Sequence, residues 1–231
     1  MIYAFKNQSL DEHIRGMLDY WEKIKHRYVT TIIRALNAYS LELSPEEADE
    51  FMKLLIKLHD IGKASKIYQK HILEDRSLKG FRHEVVSAYY AYRFIKKRWK
   101  NEKLAFIGAL TIMLHHEPIV MGQITNLKKK ELTAEVVLDK LRQFDGMVDE
   151  TGKWLMKNIE ESVKEPEKEE LTRFVFELSI KARHFPDSEK LRLIIGVLLI
   201  PLVMCDYAGA KEREGKAPKF AEVLEVESYV L

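Results

Sequence analysis

Helix-forming patterns dominate this sequence, and the alternation of apolar and polar residues that marks a strand is almost absent. Ser9 and Ser44 each precede a glutamate by three residues, the spacing of a capping box that satisfies the first free backbone donors of a helix. Pro45 then occupies the first helical position, and apolar residues follow on one helical face at Phe51, Leu54, Leu55 and Leu58. These features predict an all-α fold.

The apolar periodicity predicts further helices over residues 27–40, 63–74, 82–100, 102–116, 133–145, 167–183 and 188–207. Residues 117–132 and 158–168 are predicted to form loops. Ile2–Phe5 and Val223–Val230 depart from the helical pattern, and two such short strands from the termini could pair with each other. Because no Gly/Ser-rich linker and no repeat of about 20 to 50 residues divides the sequence, we expect a single domain over residues 1–231.

Composition narrows the classes of protein that this chain can belong to. It has 231 residues, 46% of them hydrophobic, which is enough for one sizeable core. Lys and Arg number 38 against 36 Asp and Glu, so no chain-wide positive field exists and any binding of nucleic acid must be local. A single cysteine, Cys205, excludes a disulfide framework and a four-cysteine zinc site, and it fits a reducing compartment. We therefore expect a cytoplasmic protein.

Neither a secretion signal nor a membrane span is predicted. The N-terminus lacks a basic head followed by an apolar core. The longest apolar run, Leu193–Cys205, is interrupted by Pro201 and is much shorter than the roughly 20 residues that cross a bilayer. This run is predicted to be a buried helix of the core.

Histidines and aspartates supply the candidate functional residues. His59–Asp60 ends a predicted helix, and Gly62 is predicted to end that helix in the left-handed conformation. His115–His116 ends another helix, because Pro118 disfavours helical geometry in the residue before it. Two such pairs at helix ends predict a site where helices converge. The residues predicted to complete it, each near a helix end, are His13, His83 and Asp206.

The donor set predicts the chemistry of this site. Imidazole and carboxylate without thiolate suit Mn, Fe, Co, Ni or Zn, and suit Mg less well. Seven side chains exceed what one ion takes, and they fit two ions about 3.5 to 4 Å apart, the arrangement that activates water for phosphoryl transfer. Asp60 is the natural bridge, since its two oxygens can face different ions. The sequence contains no HExxH, which argues against a zincin peptidase.

At these residues the sequence resembles the HD superfamily of metal-dependent phosphohydrolases, and more closely the HD nuclease component of type I CRISPR interference. The resemblance includes residues that flank the candidate ligands, and it runs from residue 3 to residue 209. In chain order, the matching motifs are Tyr3-Ala4 with Leu10-Asp11-Glu12-His13, His59-Asp60-Ile61-Gly62-Lys63-Ala64-Ser65 with Tyr68-Gln69, Arg82-His83-Glu84 with Ser87-Ala88, His115-His116, and Cys205-Asp206-Tyr207 ahead of Gly209.

The resemblance implies a particular site and a particular activity. One ion would be held by His13, His59, Asp60 and Asp206, and the other by Asp60, His83, His115 and His116, with Mn, Mg, Ni, Co or Fe as the candidate metals. Lys63 would lie close enough to favour phosphate charge, so Asp60 and Lys63 are the candidate catalytic residues. The implied reaction is metal-dependent cutting of single-stranded DNA that a CRISPR surveillance complex has exposed. Some members of the family also cut RNA. Because the sequence lacks the ATP-binding loop G-x-x-x-x-G-K-[ST], we expect the helicase to be a separate protein.

Two basic stretches are candidates for contact with nucleic acid. Lys128, Lys129 and Lys130 lie in the predicted loop that leaves the site directly, and they are the preferred set. Arg93–Lys100 combines cations with aromatic residues on a predicted helix, as single-strand binders do. A solvated surface without any ligand would carry similar residues.

Two other functions fit the same residues. A nucleotide phosphohydrolase of the HD type would act on a mononucleotide and would need an enclosed pocket for the base and sugar. A non-catalytic helical module would use a structural metal to hold its helices together, so chelation would unfold it. Comparing the hydrolysis of nucleoside phosphates with that of a single-stranded oligonucleotide distinguishes the phosphohydrolase from a nuclease.

Overall fold

A short hairpin leads into a set of packed helices in this computed structural model, which describes residues 1–75, 77–78, 81–116 and 141–210. The hairpin strands are β1 (Tyr3–Phe5) and β2 (Gln8–Ser9). The helices of the described residues are α1 (Leu10–Asn37), α2 (Pro45–Leu58), α3 (Lys66–Glu74), α4 (His83–Trp99), α5 (Glu102–Leu114), α6 (Glu150–Ile159), α7 (Lys168–Arg183) and α8 (Ser188–Gly209). A 3₁₀ turn over Ile61–Ala64 separates α2 from α3. The predicted all-α class is confirmed.

Both predicted capping boxes are present. The Glu12 backbone N–H donates to Ser9 Oγ over 3.2 Å, and the Ser9 N–H donates to Glu12 Oε2 over 3.0 Å. Ser44 and Glu47 exchange the same pair of hydrogen bonds over 3.1 and 2.8 Å. These boxes start α1 and α2 at the predicted positions. The helix predicted over residues 27–40 is the C-terminal part of α1, which runs without a break for 28 residues.

The N-terminal strand pairs locally. β1 is antiparallel to β2, with Tyr3 opposite Ser9 and Phe5 opposite Gln8. The predicted partner strand, Val223–Val230, lies outside the described residues, so that pairing stays a prediction.

Two segments differ from the predicted helices. Residues 141–145 of the helix predicted over 133–145 form turns and irregular backbone, and the earlier part lies outside the described residues. This segment leads to Gly146, which has φ +98° and accepts a hydrogen bond from the Lys66 N–H over 2.9 Å. α6 was not predicted, because its buried face is short and consists of Thr151, Trp154, Leu155 and Ile159.

The apolar helix α8 belongs to the core. Among the described residues it is the one helix that is long and apolar enough to span a membrane, yet half of its most apolar window is buried inside the protein. It runs antiparallel to α1, since Gly209 meets Gly16 at one end and Phe185 stacks on Tyr39 at 4.6 Å near the other. The buried face is made by Leu191, Ile194, Ile195, Leu198 and Leu202. The prediction of a buried core helix is therefore confirmed.

Candidate metal centre

The ends of five helices meet at one point and bring the predicted ligands together. α1 contributes His13 from its first turns, and α4 contributes His83 as its first residue. His59 caps the C-terminus of α2, and His115 caps the C-terminus of α5. Asp206 lies near the end of α8. All seven side chains that the sequence singled out, including Asp60 and His116, lie in this one place.

The inner cluster consists of His13, His59, Asp60 and Asp206. Oδ2 of Asp60 lies 3.5 Å from Nε2 of His13 and 3.3 Å from Nε2 of His59. Oδ1 of Asp206 faces the same two nitrogens at 3.2 and 3.6 Å. Each residue offers one donor atom, and all four donor atoms lie within 4.8 Å of one another. Two imidazoles and two carboxylates thus face one small volume.

The outer cluster consists of Asp60, His83, His115 and His116. Oδ1 of Asp60, the other carboxylate oxygen, lies 3.0 Å from Nε2 of His83, 3.7 Å from that of His115 and 3.9 Å from that of His116. These four donor atoms also lie within 4.8 Å of one another. Asp60 therefore belongs to both clusters and turns a different oxygen to each.

The two clusters differ in their access to solvent. In the inner cluster the side chains of His13, His59 and Asp60 have no exposed surface, and that of Asp206 is 5% exposed. In the outer cluster the side chain of His116 is 28% exposed. The outer cluster is therefore the more accessible of the two in the part of the chain that the structure describes.

Gly62 has a different role from the predicted one. It lies in the 3₁₀ turn after Asp60 and does not have positive φ, so the prediction of a left-handed cap is wrong. Glycine is needed there because it has no side chain: a Cβ atom at this position would lie 2.0 Å from the carbonyl oxygen of His83. The Gly62 N–H also donates to Ser87 Oγ over 2.9 Å. This contact holds the turn that bears Asp60 against the start of α4.

A second glycine contact positions the inner cluster. A Cβ atom on Gly209 would lie 2.7 Å from the carbonyl oxygen of His13 and 2.6 Å from Cγ of Met17, so α8 touches α1 through bare backbone. The Gln8 side-chain amide donates to the Gly209 carbonyl over 2.7 Å. This close approach brings Asp206, three residues earlier, within reach of His13.

Backbone carbonyls orient two of the imidazoles. Nδ1 of His59 lies 2.8 Å from the Ile56 carbonyl oxygen, and Nδ1 of His115 lies 2.6 Å from that of Ile112. A carbonyl oxygen only accepts hydrogen bonds, so each Nδ1 carries a proton and each Nε2 points at Asp60. Each carbonyl comes from the last turn of the helix that its histidine caps. Histidines at helix C-termini therefore suit this site.

Opposite charges decide the protonation of the inner cluster. Burial by itself would lower the pKa of His59, but the charges of Asp60 and Asp206 outweigh it and raise that pKa to about 10. Burial would raise the pKa of Asp60, but the charges of His59 and Lys63 hold it well below its usual value. In the same way, the neighbouring imidazoles of His13 and His59 hold the pKa of Asp206 low against burial. The inner cluster thus contains two carboxylates in a dry environment, and these attract a cation.

His116 of the outer cluster resists protonation. Burial, with the neighbouring charges of His115 and His83, lowers the pKa of His116 to about 2. A neutral imidazole keeps its lone pair available as a ligand. Next to this cluster, burial would raise the pKa of the Glu84 carboxyl, but the charges of His83 and Arg82 lower it to about 2.

Lys63 lies inside the site. Its side chain is 2% exposed, and Nζ lies 2.7 Å from Asp60 Oδ2 and 4.2 Å from the ring centroid of Phe5. Burial would lower the pKa of Lys63, but the charge of Asp60 raises it, so the group stays an ammonium. The ammonium therefore faces the inner side of Asp60. Since a carboxylate oxygen has two lone pairs, Oδ2 can accept Lys63 and also bind a cation.

The donor atoms fit divalent metals. Among the described residues, Nε2 of His59, of His83 and of His115 are buried and make no hydrogen bond of ordinary geometry. Leaving a buried polar atom unpaired costs about 1–3 kcal/mol. Three such atoms aimed at one carboxylate indicate that a ligand satisfies them, and imidazole with carboxylate is a donor set for first-row transition metals.

The two basic stretches have different outcomes. In the Arg93–Lys100 stretch of α4, Lys97 pairs with Glu161 over 3.1 Å, and Arg98 pairs with Glu50 and Glu161 over 2.9 and 3.0 Å. This stretch also lies at the far end of α4 from His83, roughly 20 Å away at about 1.5 Å per residue. It is therefore a paired surface away from the centre. Lys128, Lys129 and Lys130 lie outside the described residues, so their contact with nucleic acid stays a prediction.

Several residues that support the site had no role assigned to them from the sequence. The Gln69 side-chain amide donates to the carbonyls of Lys63 and Tyr3 over 2.8 and 2.9 Å, which ties the Asp60 turn to β1. Gln8 and Glu84 have comparable roles beside Gly209 and His83. Gln8 and Gln69 act through hydrogen bonds between distant parts of the chain, and Glu84 acts through side-chain contacts with its neighbours, so these roles are visible only in the structure.

The fold and the site define an HD-domain hydrolase, because helix ends gather five histidines around an aspartate that directly follows one of them. Residues 10–206 match the family described as "Cas3, HD domain". The chain is 62% identical over 236 aligned positions to the CRISPR-associated endonuclease Cas3-HD of Methanocaldococcus jannaschii, covering all of this chain and 97% of the relative. It is 55% identical over 230 positions to the protein of the same name from Pyrococcus furiosus, covering 97% of each chain.

A solved structure agrees. The fold is similar to that of the CRISPR-associated Cas3 HD domain protein of Methanocaldococcus jannaschii, with a TM-score of 0.80, 56% identity, and coverage of 87% of this chain and 98% of that one. The chain belongs to the Cas3 HD-domain family, and it is a nuclease of the HD type. The resemblance inferred from the sequence motifs is thereby confirmed. Its histidine and aspartate clusters could hold the divalent metals that HD domains bind.

Proposed function

We propose that this protein cuts single-stranded DNA inside the strand during CRISPR interference, using two divalent metal ions. The observation that carries the proposal is the division of Asp60 between the two clusters, with Oδ2 toward His13 and His59 and Oδ1 toward His83, His115 and His116. A carboxylate shared in this way suits a pair of ions about 3.5 to 4 Å apart. The names of the relatives, CRISPR-associated endonucleases, support the same reaction.

The side chains of the two clusters have distinct tasks in this proposal. His13, His59, Asp60 and Asp206 hold the inner ion, and Asp60, His83, His115 and His116 hold the outer one, with Mn, Mg, Ni, Co or Fe as the candidates. When bound, the ions supply Lewis acidity that activates water and offsets charge on the phosphodiester. The carbonyls of Ile56 and Ile112 keep the imidazoles of His59 and His115 turned inward throughout.

Lys63 and Asp60 are the proposed catalytic residues. Asp60 links the two clusters, so it sets their separation. The Lys63 ammonium is buried 2.7 Å from Asp60, where its positive charge favours the charge that develops on the phosphate oxygens. Because Lys63 is covered by Phe5, it acts across the site through its field and not as an exposed clamp.

The outer cluster gives the direction from which substrate arrives. His116 is the most exposed of the proposed ligands, and the inner cluster is enclosed. We therefore propose that the DNA strand lies over His116 and His83, with Lys128, Lys129 and Lys130 as further contacts to its phosphates. A separate ATP-dependent helicase would feed the strand into this cytoplasmic protein from the CRISPR surveillance complex.

The decisive assay uses circular single-stranded DNA, because a circle has no ends to digest. With Mn, Mg, Ni, Co or Fe added, we expect the wild-type protein to convert circles into linear and shorter strands, and a chelator to stop the reaction. Asp60→Ala should abolish cleavage and lower metal content together. Asp19→Ala, an exposed aspartate on α1, is the matched control and should cut at the wild-type rate. Cleavage at the wild-type rate by nuclease-free Asp60→Ala protein would refute the assignment of Asp60.

The same preparation separates the alternatives. A nucleotide phosphohydrolase would hydrolyse nucleoside phosphates and leave circles intact, whereas the proposed nuclease does the reverse. RNA oligonucleotides in a parallel assay show whether RNA is a second substrate. A non-catalytic module with a structural metal would lose its helical circular dichroism on chelation, whereas the large apolar core predicts that the metal-free protein stays folded.

A further inference from the structure

Nδ1 of His83 faces a different kind of group from those that face Nδ1 of His59 and of His115. His59 and His115 come directly after a helix, so a carbonyl of the last helical turn accepts a hydrogen bond from Nδ1 of each. His83 is the first residue of α4, and no earlier turn of that helix can provide such a carbonyl. Instead, Nδ1 of His83 lies 3.6 Å from Oε2 of Glu84. The histidine that approaches Asp60 most closely among the outer three, at 3.0 Å, is thus backed by a carboxylate.

Glu84 is itself held in place by an arginine. Glu84 is 4% exposed, and the Arg82 guanidinium reaches it with two nitrogens, Nη2 at 3.0 Å from Oε1 and Nε at 3.3 Å from Oε2. Such a forked contact fixes the orientation of a carboxylate as well as neutralising it. The Arg82 side chain is 34% exposed, so a line of contacts runs from the surface through Glu84 and His83 to Asp60.

We propose that Glu84 is a positioning residue that turns Nε2 of His83 toward the outer metal, and that Arg82 acts on His83 through Glu84. A carboxylate behind a ligating histidine fixes the ring and raises the basicity of its metal-binding nitrogen. Loss of such a partner typically lowers metal affinity about 10- to 100-fold. We expect the effect at the outer cluster, because the carboxylate of Glu84 faces His83, which belongs to that cluster. The inference rests on the proposed two-metal site and adds the residue that tunes one half of it.

The test measures metal binding and not cleavage. Glu84→Gln keeps the size of the side chain and removes its charge. In a calorimetric titration with Mn²⁺ alone, we expect the affinity for the second, outer ion to fall about 10- to 100-fold while that for the first is unchanged. Co²⁺ provides a spectroscopic signature, since the visible absorption of the outer ion should change and that of the inner ion should not. Glu102→Gln, an acidic residue in the first turn of α5, is the matched control and should leave both affinities unchanged.

A substitution of Arg82 provides a second test of the same inference. Arg82→Gln should also lower the affinity for the outer ion, but by less. The double variant should bind the outer ion no more weakly than Glu84→Gln alone, because both substitutions act by one route. Unchanged Mn²⁺ binding in Glu84→Gln, or an equal loss at both ions, would overturn the inference. Wild-type protein that binds fewer than two ions would instead refute the proposed function, so the two failures are distinguishable.

Discussion

Asp60 is a carboxylate without solvent, and its neighbours explain why it can remain charged. A buried charge is costly unless it is paired. One oxygen of Asp60 faces the Lys63 ammonium at 2.7 Å, and the same oxygen faces His59 at 3.3 Å. These cations offset the burial and hold the pKa of Asp60 low. A metal would replace the proton on His59, and Lys63 would remain as the permanent partner.

This role predicts the behaviour of a neutral replacement at position 63. Lys63→Met removes the ammonium and keeps a side chain of similar length. We expect both ions to bind, because none of the metal donors is removed. The single-turnover rate of cleavage should fall by about tenfold or more, because the field of a buried positive charge across the site from the reacting phosphate is lost. The measurement is the rate of cleavage of a single-stranded oligonucleotide at saturating Mn²⁺, with metal content determined in parallel. An unchanged rate would remove Lys63 from the mechanism.

The histidines and aspartates of the two clusters could be predicted from the sequence, whereas the contacts that orient their side chains could not. His59–Asp60 and His115–His116 were predicted because both pairs lie where helix signals stop. The orientation of each ring depends on atoms that face it in three dimensions, such as the Glu84 carboxylate. Gly62 shows the same limit, because its position after a helix suggested a left-handed cap and only the packing against His83 reveals its role.

At the scale of elements, the crossing of α1 and α8 holds the inner cluster together. The two helices were predicted, but a contact between Gly16 and Gly209 leaves no trace in apolar periodicity, since neither residue contributes a side chain. Without side chains between them, the helix axes approach closely enough for Asp206 Oδ1 to lie 3.2 Å from His13 Nε2. The hairpin adds the Gln8 hydrogen bond to the same point.

The helix crossing predicts the effect of one methyl group. In Gly209→Ala the added Cβ would lie 2.6 Å from Met17 and 2.7 Å from the His13 carbonyl oxygen, so the helices must separate. We expect a loss of about 1–3 kcal/mol in the free energy of unfolding, the usual cost of overpacking, and weaker binding of the inner ion. Urea denaturation and a Mn²⁺ titration measure the two effects.

The control for this substitution is also a glycine within a helix. Gly152→Ala in α6 meets nothing within 4 Å, so it should be neutral or stabilising by up to about 1 kcal/mol. If Gly209→Ala were as stable as the wild type and bound the inner ion equally well, the close crossing would not be what positions His13 and Asp206.

At the scale of the whole molecule, residues from the first turns of α1 and the last turn of α8 complete a single site. The order of motifs along the chain made this convergence predictable, because the resemblance to HD nucleases covers residues 3–209. The path between the motifs was less predictable. α6 was not predicted from the sequence. The backbone around Gly146 forms hydrogen bonds with the backbone beside Ala64, about 80 positions earlier in the chain, and such long-range pairing leaves no local pattern.

If Asp60 joins two metal ions into one centre, electron paramagnetic resonance of the Mn²⁺-loaded protein will show their coupling. Two Mn²⁺ ions about 3.5 to 4 Å apart and bridged by a carboxylate couple magnetically, so we predict the signal of a coupled pair at two equivalents in the wild-type protein and its loss in Asp60→Ala. A spectrum of isolated ions at two equivalents, or saturation of the wild-type protein at one, would contradict the account.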